Sequence, residues 1–329
     1  MYSLQLFDPL SANSEEFKAL YNCRLKIAQR DNECYNKNLE EFSNDLRTFY
    51  NNSTVNYTIY KVIEGENIIG TIEHYTNNKG KKEEILIIEF KLLHKFKDDY
   101  WTNFQLEKHI NNWTKNVLKS KIEAEEEILV NLLKQAGWRK SNVKVDLKVN
   151  IENLNKALLE EYVLKEIPKK LNLKAEVLLS PSPKEFEEIS PLFTDLLNDM
   201  VRTDMSHVFL ITAEELVEIQ KLNEASNNII HRIILRDSNN NIVGISINKV
   251  AKDKPQTLWQ YMAGVLPKYR NEGLTTWMKA FAYQKLLREF PSIKEIKTDC
   301  YIDNKAIIHI NKKMGFEIDK VTTDMFFEK

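Results

Sequence analysis

The chain has 329 residues, of which 43% are hydrophobic and 29% are charged, and its formal net charge is −1. A chain of this length allows roughly two domains. The near-neutral charge gives no electrostatic reason to expect a nucleic acid or a membrane as partner.

The sequence predicts neither a membrane-spanning segment nor a secretory signal. Its longest apolar runs, such as residues 85–88, are far shorter than the roughly 20 residues of a membrane helix. Residues 1–7 lack a basic region followed by an apolar core, which predicts a cytoplasmic protein. The cysteines Cys23, Cys34 and Cys300 match neither a disulfide framework nor a zinc site, so we expect structural or incidental thiols and no metal.

The two halves of the chain carry a weak internal repeat. Four landmarks recur in the same order, between 169 and 178 residues apart: Phe17 and Phe186, Glu41 and Glu215, Gly70 and Gly244, and Gly137 and Gly315. The first two open helices, the third lies in a strand-like segment, and the fourth ends a helix before an aromatic residue. Chance matching of short patterns is the alternative. We interpret the pattern as two copies of one α+β unit.

The boundary between the copies follows an alternating strand. Residues 143–151 alternate apolar and polar side chains, which predicts a half-buried strand that closes the first copy. A helix over 154–167, ended by Pro168, connects it to the second copy, which opens with a strand at 175–180. The predicted organisation is an N-terminal domain at 1–150, a linker helix at 151–173 and a C-terminal domain at 174–329.

A strand, a basic turn and a helix are predicted between residues 258 and 288. Residues 258–265 are rich in strand formers. After the turn, apolar residues recur near helical spacing, and the polar ones fall largely on the other side of that helix: Lys279, Gln284, Lys285 and Arg288.

The turn itself, Arg270-Asn-Glu-Gly-Leu-Thr275, indicates an anion-binding site. The start of a helix presents free backbone N–H groups and the positive end of the helix dipole, which bind phosphates. Gly273 lets a ligand approach the backbone closely, and Arg270 can add a charge-assisted contact. The spacing matches neither of the familiar glycine-rich phosphate loops. A plain turn is the alternative interpretation.

Downstream, residues 293–300 predict another strand, followed by a short helix within residues 303–316. That helix has an Asx cap, lysines in its last turn and a glycine at its C-terminal cap. The predicted order along the whole segment is therefore a strand, the motif Arg-x-x-Gly-x-small, an amphipathic helix, a second strand, an Asn-capped helix and the pair Gly-Phe.

This pattern resembles the GCN5-related N-acetyltransferase (GNAT) superfamily. Residues 270–275 correspond to its pyrophosphate motif, Arg/Gln-x-x-Gly-x-Gly/Ala, and Asn304 with Gly315-Phe316 corresponds to its later motif. The sequence of residues 264–280 is most similar to that of the tandem GNAT proteins, a group that includes mycothiol synthase. The motifs cover about residues 240 to 320.

The resemblance implies a fold, a cofactor and site residues. The fold would be two tandem copies of a mixed, mostly antiparallel sheet flanked by helices, in the α+β (α/β GNAT-like) class. The cofactor would be acetyl-CoA, with a backbone N–H near Val265 as the oxyanion donor. The implied cofactor-binding residues are Ala263, Gly264 and Val265 at the pantetheine arm, Arg270, Asn271, Glu272, Gly273, Leu274 and Thr275 at the pyrophosphate, and Asn304 in the cleft.

The catalytic acid and base depart from the common GNAT pattern. Many members have a tyrosine seven residues after the motif asparagine, where this chain has Asn311. An amide can hydrogen-bond the sulfur but does not usefully donate a proton. A thiolate is a tolerable leaving group near neutral pH, because the pKa of a thiol is about 8.5. Candidates near the base position are Gln260, Tyr261, Asp299, Tyr301 and His309; we favour packing for His309, water relays stay open, and no base is assigned.

The first copy is predicted not to bind the cofactor. No glycine lies between Gly80 and Gly137, and the turn at 95–101 places Asp98 and Asp99 where phosphates need positive potential. We expect a degenerate scaffold that packs against the second copy and walls the acceptor pocket.

The predicted function is therefore transfer of an acetyl group from acetyl-CoA to the amine of a small molecule by a monomer or homodimer. A non-catalytic CoA-binding or regulatory protein is the alternative. An aminoacyl transferase fits less well, because those proteins generally lack the pyrophosphate loop. The irregular segment 199–208 could contact a polar amine or be a solvated loop, the interpretation we favour; its polar residues are Asp199, Arg202, Asp204 and His207.

Overall fold

A computed structural model describes residues 2–30, 38–51, 55–77, 85–93, 106–114, 119–125, 127–203 and 208–328. The chain forms two compact units: an N-terminal unit of Met1–Asn142 with Thr322–Lys329, and a C-terminal unit of Val143–Val321. The domain limits at 150 and 173 stay a prediction. None of the helices in these ranges is both long and apolar enough to cross a bilayer.

The N-terminal unit is a sheet with helices between its strands. Its elements in chain order are β1 (Tyr2–Phe7), α1 (Ser14–Arg30), α2 (Leu39–Tyr50), β2 (Val55–Glu64), β3 (Asn67–Asn77), β4 (Ile85–Leu92), α3 (Leu106–Thr114), β5 (Lys119–Ala124), α4 (Glu127–Gln135) and the start of β6 (Arg139–Asn150). The strand order is β1-β2-β3-β4-β5, continued by the end of the last strand of the chain. Strands β4 and β5 are parallel, and the other pairs among β1 to β4 are antiparallel.

The C-terminal unit repeats this plan. Its elements are the end of β6, α5 (Lys156–Leu164), α6 (Ile167–Lys170), β7 (Lys174–Leu178), α7 (Pro183–Asn198), α8 (Ala213–Ala225), β8 (Asn228–Arg236), β9 (Ile242–Ala251), β10 (Thr257–Val265), α9 (Leu274–Glu289), β11 (Glu295–Tyr301), α10 (Lys305–Lys313) and the start of β12 (Glu317–Glu328). The strand order is β6-β11-β10-β9-β8-β7, in which only β10 and β11 are parallel. The predicted class, two copies of a mixed, mostly antiparallel sheet flanked by helices, is confirmed.

Each face of the C-terminal sheet packs against its own helices. Helix α9 contributes Trp277 and Met278 to a core with Leu258 and Val265 of β10. On the other face, α7 and α8 pack on β8 and β9, as the buried Phe186 illustrates. A residue of β10 therefore faces α9 or the opposite side according to its place in the alternation.

The repeat landmarks occupy equivalent positions in the two units. Phe17 and Phe186 are buried on α1 and α7. The Asn38 amide donates to Glu41 at 2.8 Å and the Thr212 amide to Glu215 at 3.0 Å, so both second helices open with the same reciprocal cap. Gly137 and Gly315 both adopt a positive φ after a helix, 87° and 98°. These local signals are why the repeat was visible in the sequence.

The connecting helix differs from the prediction. Instead of one helix ended by Pro168, α5 ends at Leu164, Glu166 takes a left-handed φ of 47°, and Pro168 lies in the first turn of α6. Proline is tolerated in a first helical turn, where its missing N–H needs no partner. The proline therefore begins a helix here.

The capping box of α7 gives a stability prediction. The Ser182 hydroxyl accepts from the Glu185 amide at 3.3 Å, and the Glu185 carboxylate accepts from the Ser182 amide at 2.6 Å. Ser182→Ala is expected to lower the free energy of unfolding by about 1 kcal/mol, the usual cost of a lost N-cap. Urea denaturation measures it, with the exposed Ser180→Ala as control; equal midpoints for the two variants would contradict it.

Candidate functional site

Strands β10 and β11 separate part way along their length. Their parallel pairing runs only from Thr257 and Glu295 to Gln260 and Thr298. Beyond that point β10 continues to Val265 beside β9, and β11 continues to Tyr301 beside β6. The facing edges of the two strands diverge there, so a ligand can enter between them and hydrogen-bond their peptide groups.

A β-bulge lies where the two strands separate. In the pairing with β9, Gln260 lies opposite Asn248, whereas Met262 already lies opposite Ile247, so Tyr261 is an extra residue. A bulge bends its strand and increases the local twist. Strand β10 therefore turns away from β11 directly after the last parallel pair.

The helix that follows β10 begins without a side-chain cap. Gly273 is the N-cap of α9 with φ 77°, and no side chain caps this helix start. Asn271 also has a positive φ, 67°. The first amides of α9 therefore keep free donor capacity at the positive end of the helix dipole, which suits a phosphate.

Arg270 is already engaged in this structure. Its Nη2 lies 3.0 Å from Oδ2 of Asp199, and each side chain is 45% exposed. The pair brings the start of the irregular segment 199–208 to the predicted phosphate loop. Arg202, by contrast, is buried and donates to the Leu197 carbonyl at 2.9 Å, which is a structural role. Asp204 and His207 lie outside the described residues.

The predicted cofactor residues differ in their exposure to solvent. Val265 and Leu274 are buried, Ala263, Gly264, Gly273, Thr275 and Asn304 are half-buried, and Arg270, Asn271 and Glu272 are exposed. The Asn304 side chain accepts from the Ile307 amide at 3.3 Å and so caps α10. Its predicted place beside the cofactor stays a prediction.

Asn311 is enclosed. It is 0% exposed, and neither its amide nitrogen nor its amide oxygen has a hydrogen-bond partner among the described residues. An unsatisfied buried amide costs about 1–3 kcal/mol. His309 on the same helix is exposed, so the interpretation as a packing residue is wrong.

The alternation on β11 separates Asp299 from Cys300. Cys300 faces the core, where burial raises the pKa of its thiol to about 12. Asp299 is exposed on the other side and lies directly opposite Asp146 of β6. Burial raises the pKa of Asp146, and the charge of Asp299 also raises it. Asp146 did not emerge from the sequence, because only the strand register brings it to this place.

A buried polar network lies behind the separating strands. The Lys279 ammonium and the Tyr283 hydroxyl, the latter at 2.6 Å, both donate to the Gln260 side-chain oxygen. The Gln260 amide donates to Ser246 at 3.3 Å. Burial lowers the pKa of Lys279 to about 7. The prediction that Lys279 lies on the polar side of its helix is wrong, since only 1% of it is exposed.

The N-terminal unit has the same parallel pair without the bulge. Strands β4 and β5 pair from Ile85 and Lys119 to Ile88 and Ile122. The register of β4 with β3 is continuous through Gly70 opposite Leu92. The parallel pairing of β4 with β5 also ends after four residue pairs, so what β4 lacks is a counterpart of the bulged residue Tyr261.

A cluster of ion pairs surrounds Lys91 near the end of β4 in that unit. The Lys91 ammonium lies 2.8 Å from Glu73 and 3.0 Å from Glu89, and Arg24 also contacts Glu73. The Tyr57 hydroxyl donates to the same Glu73 carboxylate at 2.6 Å. The acidic turn at 95–101 predicted to repel phosphates lies outside the described residues. In the described ranges, no group of three His, Cys, Asp or Glu could hold a metal.

The fold, but not the sequence, has known relatives. No protein-family model and no curated protein matches the sequence. A tandem GNAT protein from the clavulanic acid biosynthesis pathway superposes over 100% of this chain and 98% of its own, with a TM-score of 0.70 and 11% identity. A GCN5-related N-acetyltransferase from Sphaerobacter thermophilus covers 99% and 95%, with a TM-score of 0.62 and 9% identity.

A third structure shares the fold within a larger protein. It is a GCN5-related glucosamine N-acetyltransferase region of a fungal multidomain GH3 β-N-acetylglucosaminidase, with a TM-score of 0.62 and 9% identity. It covers 99% of this chain and 38% of that protein. At these identities the likenesses establish the fold alone, and the chain has the tandem GNAT fold that its motifs predicted.

Proposed function

We propose that the protein is an N-acyltransferase that moves an acetyl group from acetyl-CoA to the amine of a small molecule, within residues 174–329. The observation that supports this most is the end of the pairing of β10 with β11 at the bulged residue Tyr261, beside the open start of α9 at Gly273. The N-terminal unit has the parallel pair without the bulge. The proposed chemistry accordingly lies in the C-terminal unit.

The residues at the separation fit the cofactor. The peptide groups of residues 263–265 face the gap and would pair with the pantetheine arm. The amides of residues 270–275 would hold the pyrophosphate. Position 273 favours glycine, because its φ is positive and an added Cβ would come within 3.2 Å of Ile167. Arg270 would exchange Asp199 for phosphate, since a half-exposed ion pair is weak.

The chemistry needs a donor for the developing negative oxygen and a path for protons. A backbone N–H near Val265 would be the oxyanion donor, a contribution of about 2.7–4 kcal/mol in other enzymes. Bound acetyl-CoA supplies the acetyl group as a thioester. Transfer forms an N–C bond and breaks the C–S bond. The substrate ammonium gives up two protons, one to the thiolate and one to solvent.

Asp299 is our candidate for the second proton. Its carboxylate is exposed beside the separating strands and faces Asp146. It would hold the ammonium and pass the proton on through water. Asn311 would not serve as an acid, because an amide does not usefully donate a proton and this one is fully enclosed. The low basicity of a thiolate makes a protein acid dispensable.

A second candidate function is cofactor binding without turnover. The observation that favours it is Asn311, which stands where many GNAT enzymes have a tyrosine and is buried without partners among the described residues. In this case the protein would bind acetyl-CoA with the same loop and release no thiol with any amine.

Calorimetry on the full chain tests the cofactor site. We expect acetyl-CoA to bind with one site per chain, because the ion cluster at Lys91 fills the corresponding place in the N-terminal unit. Release of free thiol in the presence of amines then separates the enzyme from the binding protein. Absence of binding at millimolar acetyl-CoA would exclude both candidates.

The Arg270 to Asp199 pair gives a further prediction. Asp199→Asn is expected to tighten acetyl-CoA binding, by at most about fivefold, since exposed ion pairs contribute about 0.2–1 kcal/mol. The gain should shrink as salt is added, because exposed charges are screened. The measurement is the dissociation constant at low and high salt. Asp195→Asn, an exposed carboxylate one turn earlier, is the control, and weaker binding in Asp199→Asn would contradict the prediction.

A further inference from the structure

One face of the C-terminal sheet is open where β10 leaves β11. On the other face, α9 covers the strands, with Gln260 and Leu258 buried beneath it. On the open face, Trp259 is 42% exposed and Tyr261 is 50% exposed. The gap between the strands is therefore accessible from the side of these two aromatic rings.

The register defines which side chains share this open face. Trp259 lies opposite Lys249 of β9 and opposite Lys297 of β11. Asp299 follows Lys297 by two residues, and so it points to the same side, as does Asp146 across from it. The open face thus includes Lys249, Trp259, Tyr261, Lys297, Asp299 and Asp146. It also includes Lys148, which lies opposite Lys297 and pairs with Asp319.

The aromatic rings form its centre. The Lys249 ammonium lies 4.9 Å from the centroid of the Tyr261 ring, and the Lys297 ammonium lies 5.5 Å from that of the Trp259 ring. Large exposed rings on a sheet are typical of surfaces that bind ligands. Because Lys297 also pairs with Glu295 at 3.3 Å, its charge is balanced by the protein itself.

The charges lie at opposite ends of the rings. Asp299 and Asp146 are directly opposed carboxylates, so negative charge is concentrated at one end. At the other end, Lys249 forms no ion pair with any described residue, and only the Tyr261 ring accompanies it. The positive charges of Lys144 and Lys320 also act on Asp146 and lower its pKa, so both signs of charge are present near this face. Such a face suits a ligand with both signs of charge better than a polycation.

We infer that the acceptor is a small molecule that carries both an amine and an acidic group. Its ammonium binds at Asp299 and Asp146, its carboxylate or phosphate binds at Lys249, and the body between them lies on Trp259 and Tyr261. This inference rests on the proposed acetyl transfer and adds the class of its acceptor. Lys249 becomes the residue that selects acid-bearing amines over neutral ones.

Matched acceptors test this selection on the full-length protein. The pairs are phenylalanine with phenylalanine amide, and phosphoethanolamine with ethanolamine, compared by kcat/KM for release of free thiol from acetyl-CoA. We expect the acid-bearing member of at least one pair to be preferred about tenfold or more, which corresponds to a contact of ordinary charge-assisted strength. The pair that shows the preference distinguishes carboxylate from phosphate.

Lys249→Met supplies the decisive comparison. We expect it to bring kcat/KM for the acid-bearing acceptor down toward that for its neutral partner, a change of ratio that a general loss of folding does not produce. Lys285→Met, an exposed lysine on α9, should keep the ratio of the unaltered protein. A preference for the neutral acceptors, or a ratio that survives Lys249→Met, overturns the inference.

Calorimetry distinguishes failure of this inference from failure of the proposed function. If acetyl-CoA binds but none of the four acceptors releases thiol, the acceptor class is wrong while the cofactor site stands. If acetyl-CoA does not bind at all, the proposed function is wrong and the acceptor class is overturned with it.

Discussion

Gly273→Asp is expected to weaken acetyl-CoA binding by at least about 100-fold, which corresponds to about 2.8 kcal/mol. Two effects add. An aspartate at the start of α9 would accept hydrogen bonds from the amides that the pyrophosphate needs, and its charge would repel the phosphates. The residue also has a φ of 77°, which costs a side chain about 1 kcal/mol. Calorimetry with acetyl-CoA measures the change.

A matched control removes the effect of backbone strain. Gly65 has a φ of 62° in the N-terminal unit, and an added Cβ there meets nothing within 4 Å. Gly65→Asp therefore introduces the same charge and a similar strain away from the predicted phosphate loop. It should melt near the unaltered protein and bind acetyl-CoA as well. Equal affinities for the two variants would show that the start of α9 does not hold the cofactor.

The features that the sequence predicted well are those set by neighbouring residues. The caps at Asn38 and Thr212 and the left-handed glycines Gly137 and Gly315 depend on contacts within a few residues of the chain. Such contacts leave a pattern that repeats with the fold. The two copies, their class and the open helix start at Gly273 could therefore be predicted from the sequence.

The features that it missed depend on strand register. Tyr261 is a bulged residue only because Asn248 and Ile247 of β9 pair on either side of it. Asp146 meets Asp299 only because β6 pairs antiparallel with β11. Neither relation has a local signature. The pairing of Asp299 with Asp146 and the open face of the sheet therefore could not be predicted before the strands were placed.

The dependence on strand placement also explains why Lys279 was wrongly assigned to the polar side of α9. Helical periodicity assigns Lys279 to the polar side by residue type, whereas its partner Gln260 lies on β10, 19 residues earlier. A buried amine with a hydrogen-bond acceptor is compatible with a core, but a periodic pattern does not contain the acceptor. Burial of Lys279 is consequently a finding of the structure with its own energetic consequence.

Lys279→Met is expected to stabilise the protein near neutral pH, with an advantage that fades as the pH rises. Burial lowers the folded-state pKa of Lys279 to about 7, against an ordinary value of 10.5. Between these values the unfolded chain binds a proton that the folded chain does not, so the stability of the unaltered protein increases with pH. Over that window the increase amounts to roughly 4 kcal/mol, at about 1.4 kcal/mol per pH unit.

The methionine variant lacks this contribution, because its side chain does not titrate. Its loss of one hydrogen bond is limited, since the Tyr283 hydroxyl still donates to Gln260 at 2.6 Å. The difference in unfolding free energy between variant and unaltered protein should therefore be largest near pH 7 and fall steadily toward pH 10. Urea denaturation across that range measures it, and other groups cancel because they are common to both chains.

Lys285→Met provides the control, since this lysine is exposed on the same helix. Its free energy of unfolding should stay close to that of the unaltered protein, because exposed substitutions usually change it by less than about 0.5 kcal/mol. A pH-independent difference in Lys279→Met would mean that the buried amine keeps the same proton in the folded and unfolded chains. That result would also contradict a neutral Lys279 in the folded protein near pH 7. The hydrogen bond from Lys279 to Gln260 holds the last residue before the bulge.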